Sequence, residues 1–200
     1  MSYLIQSQRF VPSGWRKVLY LNWSLVLLTV AVAAIGMLML YSVADGELSR
    51  WALPQFKRFV LGLAVMLAVA MVPIWHWRRL ALPVYLAALA LLVAVEMVGD
   101  IGGGARRWID LAGLRLQPSE LAKIAVVMML AAYYDSVDPG RISHPGALIV
   151  PLVLIALPAA LVLRQPDLGT ALLILAGGAA VMFAAGVHWL YFAAVSVAGT

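Results

Sequence analysis

Cysteine is absent from the 200 residues, so neither a disulfide framework nor a thiolate metal site can be built. Histidine is scarce: His76, His144 and His188 stand far apart, each at the edge of an apolar run, and offer no metal-ligand spacing. Charge is thin as well. Only 12% of the residues are charged, and the net charge of +5 comes from basic residues that occur singly or in pairs. No basic stripe or aromatic-interleaved patch tracks a nucleic-acid backbone, so anionic lipid rather than nucleic acid is the expected partner. Also missing is the alternation over about ten positions that marks a transmembrane β-strand, as the run 80–98 shows.

What is present is apolar material: 64% of the chain, with a mean hydropathy of +0.98. It falls into runs of about the ~17 to 25 residues that a bilayer-spanning helix needs. The expected fold is therefore all-α, a polytopic transmembrane helical bundle forming a single membrane-embedded domain over 1–200. Helices are predicted at about 21–43, 56–72, 80–98, 118–134, 147–163 and 169–187, with a seventh at 189–200. That last stretch, at about 1.5 Å per residue, reaches roughly 18 Å of a ~30 Å hydrocarbon core, so the sequence reads as C-terminally truncated. The first run is longer than the ~7 to 15 residues of a secretory signal core, and an uncleaved first helix is expected. Residues 75–79, rich in tryptophan and arginine, read as an interfacial turn.

Basic residues on alternate sides divide six against seven, which does not orient the chain. The lead with Arg9, Arg16 and Lys17, followed after the first helix by Asp45 and Glu47, favours a cytoplasmic N-terminus. The long segment 99–117, an outer loop in that orientation, then holds Arg106, Arg107 and Arg115 with Trp108. Two readings stand: anchors to lipid headgroups, or guanidinium forks for phosphate oxygens beside an aromatic plate.

Pro118 opens the fourth predicted helix, and Ser119 or Gln117 is placed to cap its free amides. Glu120 and Lys123 follow at a spacing of three, which puts them on one helix face. Such a pair contributes only about 0.2–0.5 kcal/mol, whereas a charge near the bilayer centre costs at least ~2.5 kcal/mol, so pairing alone does not explain it. Asp167, after Gln165 and Pro166, starts the sixth helix and is either a cap or a functional carboxylate. Two crossings separate the two segments, which brings them to the same face. Glu96 has no assigned role, and Gly177 and Gly178 are expected to permit close helix packing.

The stretches GARRWIDLAGLRLQPSELAKIAV and RQPDLGTALL resemble the shape, elongation, division and sporulation (SEDS) family, whose members include RodA and FtsW, with the RodA branch favoured. Ala112 stands where that family often has glycine. The resemblance implies a fold of roughly ten helices and a peptidoglycan glycosyltransferase that polymerises lipid II during elongation, shape control and division. It implies the bacterial cytoplasmic membrane, a class B penicillin-binding protein as transpeptidase partner, polyprenyl pyrophosphate as leaving group, and a divalent cation, Mg or Mn, with unknown ligands. The family's general base is expected beyond residue 200, so no catalytic residue and no activity are expected of these 200 residues. Arg107, Arg115 and Lys123 would neutralise the pyrophosphate, Glu120 would hold Lys123, and Asp167 would orient a cation or brace that pair. Arg106, Trp108, Gln117, Ser119 and Gln165 are expected at the substrate or the headgroups. From other classes, a lipid flippase or ion-coupled transporter and a non-catalytic scaffold are the competing readings.

Overall fold

Inside a bilayer no water bonds the backbone, so a long apolar run is stable as a helix, which satisfies its N–H and C=O groups within the segment. The apolar runs are helical in the computed structural model, which describes residues 14–98, 100–102, 105–111 and 114–198. Arg9, Gly103, Gly104, Ala112, Gly113 and Thr200 lie outside the described residues. Backbone contacts divide the chain into two compact units, Met1–Pro73 and Ile74–Thr200.

In the first unit a 3-10 turn, Gly14–Tyr20, precedes α1 (Trp23–Val43), which packs on α2 (Ala52–Met71). Asn22 starts α1 by accepting the Leu25 N–H at 3.2 Å. Lys17 donates to the Met71 carbonyl at 3.0 Å and so ties the 3-10 turn to the end of α2. Helix α2 starts four residues before the predicted 56, because Pro54 falls in the first turn, where a missing N–H costs nothing.

The second unit contains α3 (Ile74–Val98), three short strands, α4 (Pro118–Ser136), a 3-10 turn at Pro139–Arg141, α5 (Pro145–Arg164), α6 (Leu168–Ala185) and α7 (Trp189–Ala198). Helix α4 is central, packing on α3, α5 and α6. Its buried Ala125, Val126 and Leu130 meet Leu92, Ile155 and Ile174 in one core. Gly178 lets α6 approach α5 closely: a methyl group there would lie 2.5 Å from Ile155 Cγ1, whereas Gly177 faces open space.

Residues 75–79 are helical, which corrects the expected interfacial turn. Pro73 ends the preceding segment and the helix restarts at Ile74, so α3 extends beyond its apolar run by tryptophan, histidine and arginine residues that suit the membrane boundary. The segment read as a loop holds a three-stranded antiparallel meander, β1 (Asp100–Gly102), β2 (Ala105–Leu111) and β3 (Leu114–Leu116). Its β2 strand packs on α3 and α4. Pairing these short strands satisfies backbone groups that an open loop would leave exposed. Among the described residues, α1, α2, α3, α5 and α6 are long and apolar enough to cross a membrane.

Candidate functional site

The candidate site grows from the first turn of α4. Gln117 occupies the N-cap with extended backbone, and Pro118 takes the first helical position, where its missing N–H is no loss. The side chain of Gln117 makes no capping bond, and Ser119 lies inside the helix, so neither performs the expected cap. Glu120 in this turn meets the favourable end of the helix dipole. Lys123 Nζ bonds both of its carboxylate oxygens, Oε1 at 2.9 Å and Oε2 at 2.8 Å. The lysine side chain is 28% exposed and the glutamate 56%, so the ammonium is the more enclosed partner. Lys123 has three N–H donors, and one remains for an incoming anion.

The second component is the turn between α5 and α6. Asp167 is the N-cap of α6: Oδ1 accepts the Thr170 N–H at 3.1 Å and Oδ2 the Thr170 hydroxyl at 2.8 Å. Among the described residues no hydrogen bond or ion pair joins Asp167 to Glu120 or Lys123, and its carboxylate caps its own helix. Gln165 is buried, and its Nε2 donates to the Leu92 carbonyl at 3.0 Å, which pins the turn to α3. Ser119 is buried as well. Arg164 Nε stands 3.7 Å from Glu96 Oε1, a second tie between the C-terminal ends of α5 and α3. Sequence reading gave Glu96 no partner, because the residues are 68 apart and only helix packing brings them together.

The starts of α4 and α6 therefore share one end of the bundle with the C-terminal ends of α3 and α5. The meander lies at this end, with Trp108 on β2 partly exposed and Asp110 opposite Arg115 in the backbone register. The side chains of Arg106, Arg107 and Arg115 lie outside the described residues. At the opposite end Arg78 and Asp135 form a 2.6 Å ion pair beside an apolar groove of about 400 Å³, lined also by Trp75 and Trp77. His144 and His188 accept N–H groups of Gly146 and Leu190 at helix starts.

Residues 21–200 match the family of cell cycle proteins that comprises FtsW, RodA and SpoVE. The chain belongs to this family. It is 35% identical over 176 residues to the peptidoglycan glycosyltransferase MrdB of Escherichia coli K12, covering 88% of this chain and 46% of that protein. It superposes on the crystal structure of the rod shape determining protein RodA of Thermus thermophilus with a TM-score of 0.72 and 33% identity, covering 88% of this chain and 57% of that one. A chain in a peptidoglycan synthase complex, whose structure concerns the coordination of polymerization and crosslinking, gives a TM-score of 0.75 and 34% identity, with 88% and 51% covered. This chain thus spans about half the length of the curated relatives it matches. Its apolar helices and these relatives make it a multi-pass membrane protein.

The carboxylates described do not by themselves make a divalent-cation site. Among the described residues no group of three histidine or acidic side chains converges. Both Asp167 oxygens already accept bonds from Thr170, and both Glu120 oxygens bond Lys123.

Proposed function

We propose that this sequence belongs to a peptidoglycan glycosyltransferase that polymerises lipid II into glycan strands at the outer face of the bacterial cytoplasmic membrane during elongation, shape control and division. The observation that carries the reading is the Lys123 and Glu120 pair: an ammonium held by both oxygens of one carboxylate in the first turn of α4. Pairing at an exposed helix surface stabilises little, so the arrangement is better explained by what it presents: a fixed cation with a free N–H. A pyrophosphate departing with the polyprenyl carrier gathers negative charge as its bond to the sugar breaks. A preorganised cation and the amide ends of α4 lower the energy of that developing charge.

In this reading Arg107 and Arg115, on the meander beside α4, add guanidinium forks to the same anion. Arg106, Trp108 and Gln117 line the approach of sugar or headgroup. Asp167 shapes the start of α6 through its two bonds to Thr170. Mg or Mn would reach the reaction on the substrate's phosphate oxygens, since that ion commonly takes one or two carboxylates and completes its shell from phosphate and water. The N-terminus is cytoplasmic, which puts the starts of α4 and α6 outside. The partner is a class B penicillin-binding protein, a reading supported by the similarity to a chain of a peptidoglycan synthase complex.

The test is glycan-strand formation from purified lipid II in proteoliposomes, with the transpeptidase partner, using the full-length protein that carries this sequence. Lys123→Ala is expected to lower the rate about a hundredfold or more, as removal of one preorganised donor does elsewhere. A folded Lys123→Ala protein that polymerises at the parent rate sinks the site assignment. A parent that makes no glycan but moves lipid II across the bilayer transfers the case to a flippase.

A further inference from the structure

Helix α5 carries two prolines in its interior, Pro151 and Pro158, both fully buried. A proline lacks the N–H that would bond the carbonyl four residues earlier. The carbonyls released are those of Ala147 and Leu154. Within a membrane-embedded bundle such a group has to find another donor.

Each of them does. The Tyr133 hydroxyl, from α4, donates to the Ala147 carbonyl at 2.8 Å, and the Tyr85 hydroxyl, from α3, donates to the Leu154 carbonyl at 3.0 Å. Of the 20 residues in α5, these two neighbouring hydroxyls meet the two whose carbonyls proline releases. Tyr134 supplies the contrast. It is buried beside Tyr133, yet its hydroxyl has no partner among the described residues.

We propose that Tyr85 and Tyr133 act as surrogate backbone donors, each matched to one proline, and that they hold α5 against α3 and α4 so that the α5–α6 turn is positioned. The turn follows directly from the end of α5, where Gln165 is bonded to α3 and Asp167 caps α6. Tyr85 and Tyr133 act through α5 and are positioning residues. The inference stands on backbone chemistry and is independent of the polymerase reading.

Two double-mutant cycles on the purified full-length protein that carries this sequence, in bicelles and read by steric-trap unfolding, test it. Tyr85→Phe is expected to raise the unfolding equilibrium constant about threefold to tenfold, the range for a hydrogen bond between membrane helices. In a Pro158→Ala background the restored N–H takes the Leu154 carbonyl, and the same substitution should change the constant less than about twofold. Tyr133→Phe with Pro151→Ala should repeat the pattern. Equal effects of each tyrosine substitution with and without its proline overturn the proposal.

A 13C=18O label on the Leu154 carbonyl gives a reading that does not need Pro158→Ala to fold. Its amide band should move to higher wavenumber in Tyr85→Phe, and an unmoved band overturns the pairing. Hydrogen exchange at the Thr170 amide, which Asp167 holds, should quicken about threefold to tenfold in Tyr85→Phe. Unchanged exchange there overturns the link to the turn.

Discussion

Substituting alanine at Gly178 adds one methyl group between α5 and α6, and the structure fixes what that methyl meets. It would lie 2.5 Å from Ile155 Cγ1 and 2.6 Å from Cδ1, against the ~3.5–4.0 Å at which carbon atoms rest. Roughly 1 Å of separation has to be found. Ile155 is only 5% exposed and belongs to the packed core, so its branched side chain has no empty space to enter, and the helices must part or the isoleucine must leave its rotamer. Overpacking of this kind costs about 1–3 kcal/mol, which lowers the folded-to-unfolded ratio roughly 5-fold to 150-fold.

Gly177, the next residue on the same helix, is the internal control. Nothing lies within 4 Å of its added methyl, so Gly177→Ala should be neutral or stabilise by up to about 1 kcal/mol through helix propensity. Steric-trap unfolding in bicelles measures both. Ile155→Ala should partly rescue Gly178→Ala, because it removes both crowding carbons and the new methyl fills part of the space. Equal stabilities for the two glycine variants, or strictly additive effects of Gly178→Ala and Ile155→Ala, would refute the close packing of α5 on α6.

Other outcomes follow from single contacts. Asp167→Ala removes the acceptor for the Thr170 N–H and hydroxyl and should destabilise by about 0.5–2 kcal/mol, whereas Asp167→Asn retains the amide cap; loss of glycan synthesis in a stable Asp167→Asn protein would show a role for the charge. Gln165→Leu removes the donor to the Leu92 carbonyl and should cost about 1 kcal/mol by the same unfolding assay, an unchanged stability arguing against that tie. The Arg78 and Asp135 pair is about half exposed on each side, so a double-mutant cycle should find a coupling below about 1 kcal/mol that falls as salt rises.

The sequence by itself determined the class of the molecule and the lengths of most of its helices, because lipid as solvent allows an apolar run of that length few alternatives to a helix. It also placed Lys123 beside Glu120, since three residues on a helix are one turn apart whatever the tertiary structure. Motif resemblance pointed to the family to which the chain belongs.

Only the tertiary structure decided which polar groups hold the bundle and which remain available. Gln165 reads in sequence like any loop amide, yet its place against Leu92 makes it an internal tie. Glu96 and Arg164, and the tyrosines with the carbonyls of α5, meet across helices. Periodicity reports which face of a helix is apolar. It does not report which neighbouring helix covers that face, and a buried polar group is satisfied by that neighbour.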